Sequence, residues 1–128
     1  MFKKYTLLSV TMVLTLATYT LHAQQSTEMF IPIGQSPGTS VSQTIIGKIE
    51  KVGSQKKSFT ISDASGKTHT VKINSATQIW LDNTKLKKTN QIGSGDDCQP
   101  GRRAEVKYSE PERTQTVTAE WIKVEIPM

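Results

Sequence analysis

The sequence predicts a small all-β domain, a closed or partly open antiparallel barrel of about six strands. Two observations carry this prediction. Residues 44–73 alternate apolar and polar side chains with a period of two, which is typical of strands that have one face on a core and one in water. Turn signals containing Gly and Pro then separate further short apolar runs as far as residue 126, and this spacing favours an all-β fold.

Three consecutive strands are expected within residues 44–73, with turns near Gly53 and Gly66. The second turn is the sharper one, because Asp63 can accept hydrogen bonds from its own downstream backbone. Gly66 can adopt the left-handed conformation that such a hairpin turn requires. The apolar face of the last two strands is carried by four side chains, which are Phe59, Ile61, Val71 and Ile73.

The first of these strands, residues 44–52, has an irregular phase. Ile45, Gly47 and Ile49 share one face, whereas Val52 is out of phase with them, and this predicts a β-bulge. A glycine in the middle of a strand is typical of the sharp coiling in a small barrel.

Three further strands are predicted at residues 77–81, 102–108 and 115–126. In the last one the apolar phase switches near Trp121, which indicates a bulge of the kind that bends a strand to close a barrel. Six short strands separated by turn signals indicate an OB-like barrel.

The longest irregular stretch is residues 82–101. We expect it to hold one short helical turn at residues 85–88, with Leu86 and Ile92 as its core contacts. Pro100 and Gly101 at its end suit the two central positions of a type II turn.

Residues 1–23 have the features of a signal peptide. Lys3 and Lys4 provide a positive start, an apolar run follows, and Ala23 provides a small residue for cleavage. An uncleaved membrane anchor is the alternative, but an apolar run of about 17 residues is short for a spanning helix, which needs roughly 20. We therefore expect an exported bacterial protein, periplasmic or secreted, with no membrane span after cleavage.

Residues 24–43 are expected to be a linker that precedes the barrel domain at residues 44–127. Ser, Thr, Gln, Gly and Pro dominate this stretch, and no regular period is sustained. Within it, residues 29–33 form a compact apolar patch. The patch either folds back over an open edge of the domain or docks on a partner protein of the cell envelope.

The charge balance argues against a dedicated nucleic-acid binder. The chain has 16 basic and 11 acidic residues, a formal net charge of +5. Loss of Lys3 and Lys4 with the signal peptide leaves 14 against 11, or +3, which is a small excess for such a protein. The sequence also lacks the Gly-rich phosphate loop, so we expect no enzyme activity and no cofactor.

The apolar and turn positions together resemble a family of small exported OB-like β-barrel domains of bacteria. The resemblance covers roughly residues 44–126, and it implies the fold and the exported location but no catalytic residue. It is carried by the order Gly47-x-Ile49, Phe59-x-Ile61, Val71-x-Ile73, Thr77-x-Ile79, and then Gly101 before Ala104-x-Val106.

Periplasmic copper-binding barrels share the OB-like outline and bind their metal through Met, His and Trp on the barrel strands. The chain departs from that pattern, because its methionines lie in the signal peptide, in the linker and at the end of the chain. These methionines are Met1, Met12, Met29 and Met128. No metal site is therefore predicted.

Cys98 is the only cysteine, and it has three interpretations. It is a buried inert thiol, or it forms an intermolecular disulfide that links a homodimer, or it has a redox or metal role. A nucleophilic thiol would need a histidine partner, and His69, the one histidine outside residues 1–23, is in phase with Val71 and so partly buried. Asp96 and Asp97 have no recognised metal-ligand spacing with either residue.

A basic aromatic surface is the one feature that predicts a ligand site. The rings of Trp80 and Trp121 can lie outside the core, where a flat anionic or aromatic ligand could stack on an indole while its charge meets Lys or Arg. The alternative is a solvated rim of cations that protects the sheet edges. The candidate ligand-binding residues are Trp80, Lys85, Lys87, Lys88, Arg102, Arg103 and Trp121.

Two classes of function therefore remain open. The first is a non-enzymatic exported binding module for an unknown small ligand. The second is an interaction or structural protein of the envelope, which docks through residues 29–33 or dimerises through Cys98.

Overall fold

We describe a computed structural model of the protein, which covers residues 27–37 and 43–127. The predicted signal peptide lies outside these residues. The described part is mostly β-structure, in agreement with the predicted fold class, and its helical content is limited to single turns. No helix in the described part is long and apolar enough to cross a membrane.

Eight strands form one sheet in the described part of the chain. Their bounds are β1 Thr44–Val52, β2 Ser58–Asp63, β3 Thr68–Lys72, β4 Gln78–Asp82, β5 Gln91–Ile92, β6 Arg103–Lys107, β7 Thr116–Thr118 and β8 Trp121–Glu125. The order across the sheet is β5-β4-β8-β6-β1-β2-β3-β7, and the sheet is not closed. The pairs β3–β7 and β4–β8 are parallel, and the other neighbouring strands are antiparallel.

The predicted hairpin turn between β2 and β3 is confirmed. The Asp63 carboxylate accepts hydrogen bonds from the backbone N–H groups of Ser65 at 2.9 Å and Lys67 at 3.1 Å. Gly66 takes the left-handed conformation, with φ +84°. The turn therefore depends on the two residue types that identified it in the sequence.

The predicted bulge in β1 is also confirmed, because the register with β2 shifts between Ile49 and Lys51. Gly47 precedes the bulge in β1 and pairs with Asp63 of β2. A Cβ atom at this position would lie 2.1 Å from the carbonyl oxygen of Ser62. The glycine thus allows the backbone of β2 to lie where a side chain of β1 would otherwise stand.

The last predicted strand is divided into β7 and β8 by a break at Ala119 and Glu120. Val117 and Ala119 lie in the core before the break, and Ile122 and Val124 lie there after it. The predicted change of phase is therefore confirmed. Its consequence is that β7 pairs with β3, while β8 pairs with β4 and β6.

Two details of the stretch 82–101 differ from the prediction. The helical turn spans Thr84–Leu86, and Lys87 ends it in the left-handed conformation, with φ +54°. The expectation that Leu86 and Ile92 contact the core is wrong: Leu86 is only partly buried and does not belong to the core cluster. Ile92 lies in the short edge strand β5, which pairs with β4, and it is 77% exposed.

The main core lies on one face of the sheet and consists of buried apolar side chains from most of the strands: Ile45, Ile49, Phe59, Ile61, Val71, Ile79, Cys98, Ala104, Val106, Tyr108, Val117, Ala119, Ile122 and Val124. On the opposite face of β4, β8 and β6 lie residues 27–37, which we call the strap. Both faces of β8 are covered as a result, and its residues 121–124 are all buried. The candidate functional site lies on the face under the strap.

Candidate functional site

The two tryptophans lie together on the face of β4 and β8 opposite the core. The ring centroids of Trp80 and Trp121 are 5.6 Å apart, with 33° between the ring planes. As predicted, neither indole belongs to the core cluster. Their expected exposure to solvent is wrong, however, because this face is covered and the two residues are only 3% and 4% exposed.

Lys123 lies next to the indoles on β8 and is fully buried. Its Nζ atom is 4.6 Å from the centroid of the Trp121 ring, within the range of a cation–π interaction. The same atom donates to Glu28 Oε2 at 3.1 Å and to Ser36 Oγ at 2.7 Å. Both oxygens belong to the strap, so the strap supplies hydrogen-bonding partners that a buried ammonium group requires.

Asp82, at the end of β4, binds the strap backbone. Its Oδ2 atom accepts a hydrogen bond from the N–H of Ile33 at 3.0 Å, and its Oδ1 atom accepts one from the N–H of Thr84 at 2.9 Å. Burial raises the pKa of Asp82, but these hydrogen bonds and the charge of Lys123 outweigh it, so the pKa lies below its ordinary value. Asp82 therefore carries its negative charge at neutral pH.

Glu105, in the middle of β6, is the second carboxylate that binds the strap backbone. Its Oε2 and Oε1 atoms lie 3.1 and 3.3 Å from the donating N–H of Gly34. Burial raises its pKa above the ordinary value, and the Gly34 hydrogen bond and the Lys123 charge offset this only in part. Glu105 and Lys123 are direct neighbours across the β6–β8 pairing.

These side chains form one surface, which we call the strap face: Trp80, Asp82, Glu105, Trp121 and Lys123. Three strands, β4, β6 and β8, each contribute a buried charged group to it. The strap face can bind an anionic group at Lys123, accept hydrogen bonds at two carboxylates and contact a flat apolar group at the indoles.

The predicted basic residues divide into separate groups around the strap face. Lys85 Nζ is 2.5 Å from Glu125 Oε1, and Arg103 Nη1 is 3.7 Å from Glu125 Oε2. Arg102 instead donates to the backbone oxygen of Asp97 at 3.0 Å. Two of the predicted cations therefore meet at Glu125, whereas Arg102 is held elsewhere.

Lys87 and Lys88 are exposed on the loop after Thr84–Leu86. The cation that contacts an indole is Lys123, which the sequence analysis did not single out. A lysine in the middle of a strand ordinarily faces solvent. One feature of the sequence pointed to a covered polar face: the apolar patch at residues 29–33, which was expected to pack on the domain or on a partner.

A shallow cleft of about 360 Å³ lies beside the two arginines, lined by Gln99, Pro100, Gly101, Arg102, Arg103, Glu125 and Pro127. Its positive charge is partly neutralised, because Arg102 lies beside Asp97 and Arg103 beside Glu125. Lys123 on the strap face is also paired, with Glu28, but unlike the two arginines it is fully buried, where charge interactions are screened less than at the surface.

A second polar cluster surrounds His69 on β3. Its Nε2 atom lies 2.8 Å from Asp63 Oδ2, and its Nδ1 atom lies 2.7 Å from Glu112 Oε1. Each ring nitrogen thus has one carboxylate oxygen as its hydrogen-bonding partner. His69 is buried, as expected, and it joins the β2–β3 hairpin to the loop that carries Glu112. Both ring nitrogens of His69 bind carboxylates, so neither is directed at the Cys98 thiol.

Cys98 is 2% exposed and belongs to the main core. Burial, together with the neighbouring Asp97 charge, raises the pKa of its thiol to about 12. An intermolecular disulfide would require this sulfur at the surface, so the structure supports the interpretation of a buried inert thiol. No group of three or more His, Cys, Asp or Glu side chains in residues 27–37 and 43–127 is arranged to hold a metal ion.

The Asp63–His69 contact predicts acid sensitivity. The hydrogen bond from His69, with further ones from Ser65 and Lys67, holds the pKa of Asp63 well below its ordinary value. A carboxyl group whose pKa is lowered by folding stabilises the fold above its unfolded pKa of about 3.9, and this stabilisation is lost as the pH falls towards the folded pKa. Asp63→Asn should therefore be less stable at pH 7 and lose less stability between pH 5 and 2, measured by urea unfolding. Asp96→Asn serves as the exposed control, and equal pH slopes for Asp63→Asn and the wild type would contradict the assignment.

The burial of Cys98 predicts a slow thiol reaction. In native buffer at pH 7.5 we expect the wild-type protein to react with an aromatic disulfide reagent at least about a hundredfold more slowly than the same protein in urea, because the thiolate is scarce and the sulfur is covered. The protein should also remain monomeric on non-reducing gels after air oxidation. Rapid labelling of the folded protein would show that Cys98 is accessible.

Comparisons with known proteins give only structural neighbours. No family model matches the chain, and no curated protein sequence matches it. Silver-bound CusF is 15% identical, with a TM-score of 0.40 over 63% of this chain and 93% of that chain. A tryptophan-to-alanine variant of CusF from Escherichia coli with Cu(II) is 16% identical, with a TM-score of 0.40 over 67% and 96%. Apo-CusF from Escherichia coli is 15% identical, with a TM-score of 0.39 over 71% and 95%. The chain is similar to these proteins at a level that does not assign it to a family.

Proposed function

We propose that the protein is a non-enzymatic binding module and that the strap face is its ligand site. The observation that carries this proposal is the burial of Lys123 between an indole ring and two oxygens of the strap. The strap occupies a surface that offers Lys123 to an anionic group and the carboxylates of Asp82 and Glu105 to hydrogen-bond donors.

The composition of the strap face supports recognition more than simple stabilisation. Buried charge pairs are often no more stabilising than well-packed apolar residues of the same size. This face nevertheless buries Asp82, Glu105 and Lys123 within one small domain. Aromatic side chains, which this face presents as two adjacent indoles, are enriched at binding surfaces.

The ligand that fits this arrangement carries an anionic group. It would take the place of the Glu28 carboxylate on Lys123 and place a flat portion against Trp80 or Trp121. The other reactive groups support a role without catalysis, because the Cys98 thiol is buried and His69 is held between two carboxylates. Export of the module is supported by the sequence features of residues 1–23.

The alternative role, docking through residues 29–33, has weaker support. Ile33 is buried against the sheet, and the backbone oxygen of Met29 accepts a hydrogen bond from Asn90 at 2.9 Å. Phe30 is the large apolar side chain of this patch that remains exposed, at 53%. A single exposed ring is a small surface for a protein partner. The second route of that role, a Cys98-linked dimer, is opposed by the burial of the thiol.

Tryptophan fluorescence tests the proposed site, because both tryptophans of the chain lie on the strap face. We would titrate the full chain with an acidic oligosaccharide and with a single-stranded oligonucleotide at low salt. Glu28→Gln removes the carboxylate that competes for Lys123, so an anionic ligand should bind this variant about tenfold or more tightly than the wild type. Glu50→Gln, an exposed acid on β1, is the matched control and should bind like the wild type. No change in tryptophan emission for either chain up to about 1 mM of both probes would overturn the proposal.

A further inference from the structure

The strap lies on the sheet without being a strand of it. Three backbone-to-backbone hydrogen bonds join residues of the strap to one another: Phe30 to Thr27, Ile31 to Glu28 and Gln35 to Pro32, each at 3.1 Å. Side chains of residues 82–123 hold the strap on the sheet through hydrogen bonds: Asp82, Asn90, Glu105 and Lys123. The strap is thus held in the way that a domain holds a bound peptide.

Three of these contacts bind the main chain of the strap. Asp82 and Glu105 accept hydrogen bonds from the N–H groups of Ile33 and Gly34, and Asn90 donates to the carbonyl oxygen of Met29. Every peptide offers such N–H and C=O groups at regular spacing. An oligosaccharide or a nucleic acid does not offer them, so these contacts favour a peptide ligand.

Further contacts depend on the side chains of the strap. The carboxylate of Glu28 binds Lys123, the side chain of Ile33 is buried, and Gly34 has a φ of +82°, which L-residues with a side chain rarely adopt. The strap therefore fits this face with an acidic residue, Glu28, an apolar residue five positions later, Ile33, and a glycine directly after that, Gly34.

From these contacts we infer that the strap face recognises a peptide segment of another protein with the pattern acidic-x-x-x-x-apolar-Gly, and that the strap is the built-in occupant of that site. The inference rests on the proposed function and names its ligand class. Charge complementarity selects this occupant, because the incoming acidic side chain pairs with Lys123 while two N–H donors pair with Asp82 and Glu105.

The tether makes the strap a competitor of any incoming peptide. A segment joined by a short connection has an effective concentration in the millimolar range, so the wild-type chain binds a free peptide of equal quality weakly. Weakening the strap while leaving the strap face intact should reveal the site. Glu28→Gln does this, because it changes the strap alone and keeps every residue of the strap face.

The test measures fluorescence anisotropy of a labelled synthetic peptide with the sequence of residues 27–37, TEMFIPIGQSP, added to the full chain. We expect saturable binding to the Glu28→Gln chain that is at least about tenfold tighter than binding to the wild-type chain or to the Glu50→Gln control. Peptides that carry Glu28→Gln or Gly34→Ala should each bind about tenfold more weakly than the unaltered peptide.

The outcomes separate the inference from the proposed function. If the Glu28→Gln chain fails to bind the peptide below about 1 mM but its tryptophans respond to the acidic oligosaccharide or the oligonucleotide, the site exists and the peptide inference is wrong. If neither a peptide nor another acidic probe binds, the peptide inference and the proposed function are both wrong. Equal binding of the unaltered and the Glu28→Gln peptides would also overturn the inference. Circular dichroism checks that the variant chain is folded, and Ser36→Ala, which removes the second strap oxygen on Lys123, replaces it if it is not.

Discussion

The structure depends on the fully buried ammonium group of Lys123. Moving an ammonium group from water into a protein interior costs several kcal/mol unless it is paired and hydrogen-bonded. Of its close contacts, Trp121 lies on the sheet, whereas Glu28 and Ser36 lie on the strap. Without the strap, Lys123 would lose its hydrogen bonds to Glu28 and Ser36. Without the sheet, Ile33 of the strap would have no apolar surface to pack against. Each part stabilises the other.

The position of β8 explains why one lysine has this influence. The strand lies between β4 and β6, near the centre of one half of the sheet. Its Ile122 and Val124 side chains pack in the core, while Trp121 and Lys123 point to the strap face. The break at residues 119 and 120 produces this arrangement, since it changes which face each side chain meets. The break that gives β7 and β8 different partner strands therefore also places Trp121 and Lys123 on the face that the strap covers.

The strands and turns could be predicted because they follow from local patterns: the period of two, the Asp63–Gly66 turn and the bulge in β1. The buried charges could not, because Lys123 and Glu105 resemble ordinary solvent-facing residues until a distant segment covers them. The apolar patch at residues 29–33 indicated that this segment could cover part of the domain, but it did not indicate which part. Cys98 and the two tryptophans show the same limit, since their burial is decided by packing between elements far apart in sequence.

A double-mutant cycle between the strap and the sheet tests this account most directly. Glu28→Gln, Lys123→Met and the double variant would be compared with the wild-type chain by urea unfolding at pH 7. If the ammonium group depends on the strap, the two substitutions should couple by about 1 kcal/mol or more, because the second removes little once the first has broken the pair. Effects that add to within about 0.5 kcal/mol would contradict the account.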